Sequence, residues 1–292
     1  MPPEIPIPTL HLFPKLDQLL LDFLRSLSPA DWEKPTIVPL WTIKDIAAHL
    51  LDGNLRTLSM SRDQYFGEKP DPIESYGDLV AYLNRLNAEW VKAFKRVSPI
   101  VLIELLELTG SQYNTYLRTL NPYTPAIFSV AWAGEEESKN WFHIAREYTE
   151  KWHHQQQMRL AMGQEEALYA PDLYFPHLDT SMRALPHHYR NVTAEPGTVI
   201  TFAVKGVPNG QWYLQRDTNA WALSKTVDQT PIASVNIEGT IAWRMLTKGI
   251  GKAEALKLVE IEAAAIKNLL PGWIHFSQNS RHTMKLRLTQ PD

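Results

Sequence analysis

A chain of 292 residues with 44% hydrophobic content is long enough for two domains with a real core. A formal net charge of -3 and a pI near 6.4 give no field to gather phosphate backbones, and no basic run occurs, so nucleic acid is not an expected partner. Cysteine is absent, which removes disulfides, iron-sulfur clusters, thiolate nucleophiles and cysteine-type zinc sites together, so any metal must rest on histidine and carboxylate. No apolar run approaches the roughly 20 residues of a membrane span. The start, MPPEIPIPTLHLFPKL, lacks the basic and apolar segments of a signal peptide, so the expected location is the cytoplasm, without a membrane partner.

Taken in chain order, Leu16, Leu19, Leu20, Phe23 and Leu24 recur at helical spacing over 14–28 and predict a first amphipathic helix, broken by the turn-like SPADW. A second helix is expected over 42–60, capped by Thr42, with Ile43, Ile46, Ala47, Leu50, Leu51 and Leu55 on its inner side. The stretch 61–74, rich in charge, glycine and proline, reads as a long loop of the kind that often covers a site. Helices are expected over 76–97 and 99–117, a loop at 121–125, and a further helix over 137–162 closed by Gly163. The texture then changes. One helix is expected over 177–189, strands over 198–204, 211–215, 220–224 and 234–237, a helix over 239–246, a strand over 256–261 and a short helix over 262–270. The predicted class is multi-domain: an all-α four-helix bundle over 1–165 followed by a small α+β domain over 166–292, joined through the Gly163 to Pro176 region.

The stripe from Trp141 to Arg159, WFHIAREYTEKWHHQQQMR, carries the chemistry, because His143, Glu147, Glu150 and His154 fall at steps of three and four on one helical face. Glu150 and His154, at i and i+4, can reach one divalent ion from a single helix, and a ligand from a neighbouring helix completes a site with open positions. His49, alone in AAHLL, is the third candidate. Glu147, one turn before Glu150, is a candidate general base or a group that orients a ligand. His153 points about 100° away from His154 on the helical wheel. His143 lies two turns from the proposed ligands. A histidine on an apolar face is more often a hydrogen-bonded core residue than a ligand, and mixed charges on a helix are usually a solvated face. By donor type the set suits zinc, nickel, iron or manganese.

The passage LSPADWEKPTIVPLWTIKDIAAHLLDGN, followed by TEKWHHQQQMR, resembles the DinB-like metalloprotein superfamily and, within it, the mycothiol-dependent maleylpyruvate isomerase group. PGTVITFAV and SVNIEGTIAWRMLTKG resemble the small sterol-carrier-protein-like domain attached to that isomerase, so the resemblance spans most of the chain. It implies a tryptophan-led helix ending in a metal-binding histidine, here Trp41 and His49, and a later Glu-x-x-x-His, here Glu150 and His154. A common acidic residue three positions after the last ligand is replaced here by Gln157. The resemblance further implies a divalent metal, zinc first, that binds a low-molecular-weight thiol so that its thiolate attacks an electrophilic carbon. The expected function is thus a metal- and thiol-dependent transferase or isomerase taking a small-molecule substrate and a thiol cosubstrate. The alternatives are a metal hydrolase using metal-bound water, with Glu147 or a loop residue as base, and a non-catalytic small-molecule or lipid-binding protein.

Overall fold

Phe13, Leu16, Leu20, Phe23 and Leu24 line the buried face of α1 (Phe13–Ser26), whose first turn accepts Pro14 because no intrahelical donor is needed there. A computed structural model shows this and the rest of the fold, describing residues 4–68, 72, 74–247, 249–263 and 284–286. Helix α2 (Ile43–Arg56) starts at a reciprocal cap: the Thr42 hydroxyl accepts from the Asp45 N–H at 3.3 Å, and the Asp45 carboxylate accepts from the Thr42 N–H at 3.0 Å. The helix expected to reach residue 60 does continue beyond Arg56, but as a wider π-helical turn, Thr57–Arg62. Helix α3 (Tyr76–Phe94) has the same kind of cap from Ser75 and Asp78, and its Trp90 indole N–H donates to the Ala48 carbonyl of α2 at 2.8 Å. Helix α4 (Pro99–Leu117) has the expected bounds, with Ser98 as its cap.

A short strand, β1 (Phe128–Val130), precedes α5 (Asn140–Met162) and pairs with β7 (Met284–Leu286). Its three residues are too few to carry a period, which is why the sequence reading has no strand there. Gly163 closes α5 at φ 64°, in the left-handed region. Leu20, Leu24, Ile43, Ile46, Leu50, Leu51, Leu102, Leu106 and Met158 form one apolar cluster shared by α1, α2, α4 and α5. Among the described residues no helix is long and apolar enough to cross a membrane.

The chain divides into two compact units: one runs to Ser129, resumes over Glu137–Leu173 and includes β7, and the other takes Val130–Glu136 and continues from Tyr174 through β6 (Val259–Ala263). The division falls inside α6 (Pro171–Met182), beyond the residue 165 chosen from sequence. Side-chain bonds hold the intervening residues to the bundle: Gln156 donates to the Glu165 carbonyl at 3.1 Å, Tyr148 to the Leu173 carbonyl at 2.8 Å, and Lys15 meets Asp172 at 2.6 Å.

In the second unit, the single helix expected over 177–189 is two, α6 and α7 (Leu185–Tyr189), because Pro186 has no N–H to continue the ladder and fits only a first turn. Five strands follow: β2 (Val199–Lys205), β3 (Gln211–Arg216), β4 (Trp221–Ser224), β5 (Ala233–Glu238) and β6 (Val259–Ala263). Their order is β4-β3-β2-β5-β6, with β2 and β5 parallel and the other pairs antiparallel. Helix α8 (Gly239–Leu246) lies where the sequence places it, and a short α9 (Lys252–Ala255) precedes β6. Glu262 and Ala263, expected to open a helix, extend β6 instead; the remainder of that expected helix lies outside the described residues. Three aromatic groups pin this unit's helices and sheet: Tyr174 donates to the Gly239 carbonyl at 2.5 Å, Trp212 to Asp179 at 2.6 Å, and Trp221 to the Val192 carbonyl at 3.0 Å.

Two glycines with positive φ separate conformational from steric constraint. Gly163 has open space around a would-be Cβ, whereas at Gly134 (φ 86°) a Cβ would lie 2.7 Å from Cγ of the His187 ring. Gly163→Ala is expected to cost about 1–2 kcal/mol of left-handed strain alone, and Gly134→Ala about 1–3 kcal/mol more through overpacking. Urea unfolding of the two variants checks the order, and equal losses would refute it.

Candidate metal centre

Helix α5 is polar in composition yet buried along most of its length, so each of its side chains must find a partner inside the bundle. Lys151 reaches Asp17 of α1 at 2.8 Å, Gln155 donates to the Leu16 carbonyl at 2.9 Å, and Arg159 donates to the Leu19 carbonyl at 2.8 Å. These bonds fix the rotation of α5 against α1. They leave Glu150 and His154 facing α2, where His49 meets them.

His49, Glu150 and His154 each offer a ligand atom, all within 4.8 Å of one another. Glu150 Oε1 lies 3.1 Å from His154 Nε2 and 3.5 Å from His49 Nε2. Tetrahedral nitrogen and oxygen ligands at about 2.0–2.1 Å from a zinc ion stand roughly 3.3–3.4 Å apart, so both carboxylate-to-imidazole spacings suit one small divalent ion. Protonation points the same way. Burial lowers the His49 pKa well below its ordinary value, helped by His154 and Arg56, and burial holds His154 at about 4 against a partial rise from its Gln157 bond. Both imidazoles are therefore neutral near pH 7.

Gln157 settles which nitrogen of His154 carries the proton. Its side-chain oxygen lies 2.8 Å from Nδ1, which donates to it, so Nε2 turns a lone pair toward the Glu150 carboxylate. Two acceptors 3.1 Å apart repel unless a cation lies between them. Trp41 walls the centre, its ring 5.1 Å from the His49 ring and 6.5 Å from that of His154. A tight turn presents it: the Thr36 N–H and hydroxyl both donate to the Trp41 carbonyl, at 3.0 and 2.9 Å, and Leu40 takes a left-handed φ of 68° beside it.

The other histidines and Glu147 are placed elsewhere. His153 Nδ1 donates to the Thr149 carbonyl at 2.7 Å, and its ring stands 4.1 Å from that of His154. Glu147 is ion-paired with Arg146 and accepts from the Tyr113 hydroxyl at 2.9 Å, while Arg146 also meets His143 Nδ1 at 3.1 Å. Burial alone would raise the Glu147 pKa, but Arg146, His143 and the Tyr113 bond together hold it below the ordinary range. Both of its oxygens are engaged and it is a weak proton acceptor. The structure thus brings together His49, Glu150 and His154 and keeps Glu147 and His143 in a separate buried network.

Of three further contributors, the sequence reading names two and misses one. Trp41 and Gln157 are noted there only as family features, and the ion pair of Asp52 with Arg56 is not noted at all. Its signal is the repetition of His49, Asp52 and Arg56 at i, i+3 and i+7 on α2.

The facing helices of the bundle thus bring two neutral imidazoles and one carboxylate together, and a five-stranded α+β unit follows. The chain belongs to the mycothiol maleylpyruvate isomerase N-terminal domain family, whose sequence profile matches residues 13–159. Its fold is similar to the crystal structure of the mycothiol-dependent maleylpyruvate isomerase, at 12% identity and a TM-score of 0.51, covering 89% of this chain and 93% of that one. It is also similar to a histidine-to-alanine mutant of that isomerase, at 11% identity and a TM-score of 0.50, covering 89% and 95%. No curated protein matches the chain.

His143 supplies a pH test away from the converging donors. Burial, with Arg146 beside it, lowers its pKa to about 4 from 6.5, and Glu147 offsets only part of this. The unfolded chain therefore takes up this proton first. The stability contributed is complete above about pH 6.5 and is lost as pH falls toward 4, amounting to roughly 3 kcal/mol. The urea midpoint is expected to fall across that window, and His143→Gln to remove about one proton from the dependence. Identical pH profiles for the two proteins would overturn the assignment.

Proposed function

We propose that this protein is a metal- and low-molecular-weight-thiol-dependent transferase or isomerase acting on a small electrophilic substrate. In this reading His49, Glu150 and His154 hold a divalent ion, zinc first. The observation that carries it is the convergence of the Nε2 atoms of two neutral imidazoles on one carboxylate oxygen, in a family named for a mycothiol-dependent isomerase. The bound ion would supply positive charge that lowers the pKa of a thiol and stabilises its thiolate. The absence of cysteine agrees with a thiol supplied from outside the chain.

The chain's own residues have distinct tasks in this reading. Gln157 holds the His154 proton on Nδ1 and keeps Nε2 available as a donor. Trp41 covers the imidazoles and limits water at the centre. Glu147, with both oxygens engaged, anchors Arg146 and Tyr113 rather than accepting a substrate proton. A hydrolase built on the same donors would need a free base beside them, and Glu147 is ill suited to that role.

Elemental analysis of protein purified without added metal is expected to find about one equivalent, lost in His49→Ala and in His154→Ala. Loaded protein should then turn over electrophilic substrates only when a low-molecular-weight thiol is present. Turnover that persists without thiol would refute the thiol step, and a parent that takes up no divalent metal would refute the centre itself.

Gln157 offers a finer test. Gln157→Leu removes the acceptor for His154 Nδ1 and is expected to weaken metal binding about ten- to a hundredfold, while Gln157→Glu retains it. Competition against a chelating dye measures both. Unchanged affinity in the leucine variant would show that Gln157 does not position the ligand.

A further inference from the structure

The stripe of α2 that begins at His49 continues through Asp52 to Arg56, at i+3 and i+7, so all three share one side of the helix. Helices α2 and α5 run antiparallel here: Trp41, before α2, stands beside His154, and His49, further along α2, stands beside Glu150. Moving on from His49 toward Arg56 therefore moves back along α5 from Glu150 toward Glu147 and Arg146. Arg56 lies two helical turns, roughly 10 Å along the axis, from His49.

Its guanidinium is unusual for its surroundings. The Arg56 side chain is 25% exposed and its Nε sits 2.9 Å from Asp52 Oδ2, while Asp52 is 8% exposed. That contact is off the hydrogen-bond axis, and Arg56 makes no side-chain hydrogen bond among the described residues. The Nε–H is thus buried against Asp52, while the four Nη donors of the planar fork make no hydrogen bond among the described residues. Arg146, the other cation in this stretch, is occupied by Glu147 and His143. The charge of Arg56 also reaches His49 and Glu147, where it favours the neutral imidazole and the ionised carboxylate.

We propose that Arg56 is the recognition group for a carboxylate on the small molecule received at the His49, Glu150 and His154 centre. Asp52 holds the fork in place and competes weakly for it. A planar guanidinium pairs with a carboxylate through two parallel bonds, which fixes orientation as well as affinity. The ligand class is a short carboxylic acid whose reacting atom meets the centre while its carboxylate lies further along the α2–α5 seam. This inference rests on the metal reading of the three donors.

Cobalt(II)-loaded protein tests it through the thiolate-to-cobalt absorption band, with ω-mercaptocarboxylates from mercaptopropionate to mercaptohexanoate titrated beside mercaptoalcohols of equal length. The parent is expected to bind the acid about tenfold more tightly than the alcohol at the chain length that spans the gap, as one charge-assisted pair allows. Arg56→Met should abolish the preference, bringing the acid and the alcohol to equal affinity. Asp52→Asn should enlarge it, giving a second variant with the opposite sign. A preference that survives in Arg56→Met, or no preference in the parent, overturns the assignment of Arg56 while leaving the metal centre standing. Failure of the parent to take up cobalt overturns the metal centre and the Arg56 assignment with it.

Discussion

The structure depends on burying a polar helix. Along α5, Arg146, Glu147, Lys151, His153, His154, Gln155, Gln156, Gln157 and Arg159 are all withdrawn from water. Leaving such a group without a partner costs about 1–3 kcal/mol, and more for a charge, so the bundle is organised around satisfying them. Asp17 exists for Lys151, and the carbonyls of Leu16 and Leu19 accept from Gln155 and Arg159. Those contacts determine the rotation of α5, and its rotation determines which side chains face α2.

The centre is a consequence of that burial. In water a histidine beside a glutamate would be protonated near its ordinary pKa and form a simple ion pair. Desolvation instead keeps His49 and His154 neutral, so two imidazoles crowd one carboxylate oxygen without the positive charge of a simple ion pair. The Gln157 amide contributes hydrogen bonding without adding a second negative charge next to His154. A carboxylate there would draw the imidazole toward protonation, whereas the amide holds the tautomer without adding charge.

Much of this was legible from residue spacing. The apolar period set α1, α2 and α4, turn residues set the strands of the second unit, and the i, i+4 relation of Glu150 and His154 survived directly into geometry because a helix preserves it. What sequence could not separate was the role of each polar residue on α5. His143, Glu147, Glu150 and His154 form one stripe on paper. In three dimensions the stripe divides, because Tyr113 of α4 and Arg146 claim Glu147 while His49 of α2 meets Glu150. Partners from other helices make that division, and no period within α5 contains them. The split between α6 and α7 had a readable cause in Pro186, but β1 had none, since three residues pair with a strand far along the chain.

The division of the stripe also explains how carboxylates so close in sequence can serve different ends. Glu147 is neutralised by Arg146 beside it and accepts from a tyrosine, whereas Glu150 faces the two imidazoles. Asp52 is buried enough that desolvation raises its pKa, with Arg56 pulling the other way, which weakens it as a permanent counter-ion. Along the α2–α5 seam the carboxylate of Glu150 thus faces two imidazoles, and the guanidinium of Arg56, two turns away on α2, lies against Asp52. The Arg56 proposal asks for a molecule with a soft nucleophilic or electrophilic end and a carboxylate at the other. A neutral molecule would leave the donors of Arg56 without a partner once water was displaced. Selectivity in such a seam comes less from what the centre attracts than from what the guanidinium refuses to leave unpaired.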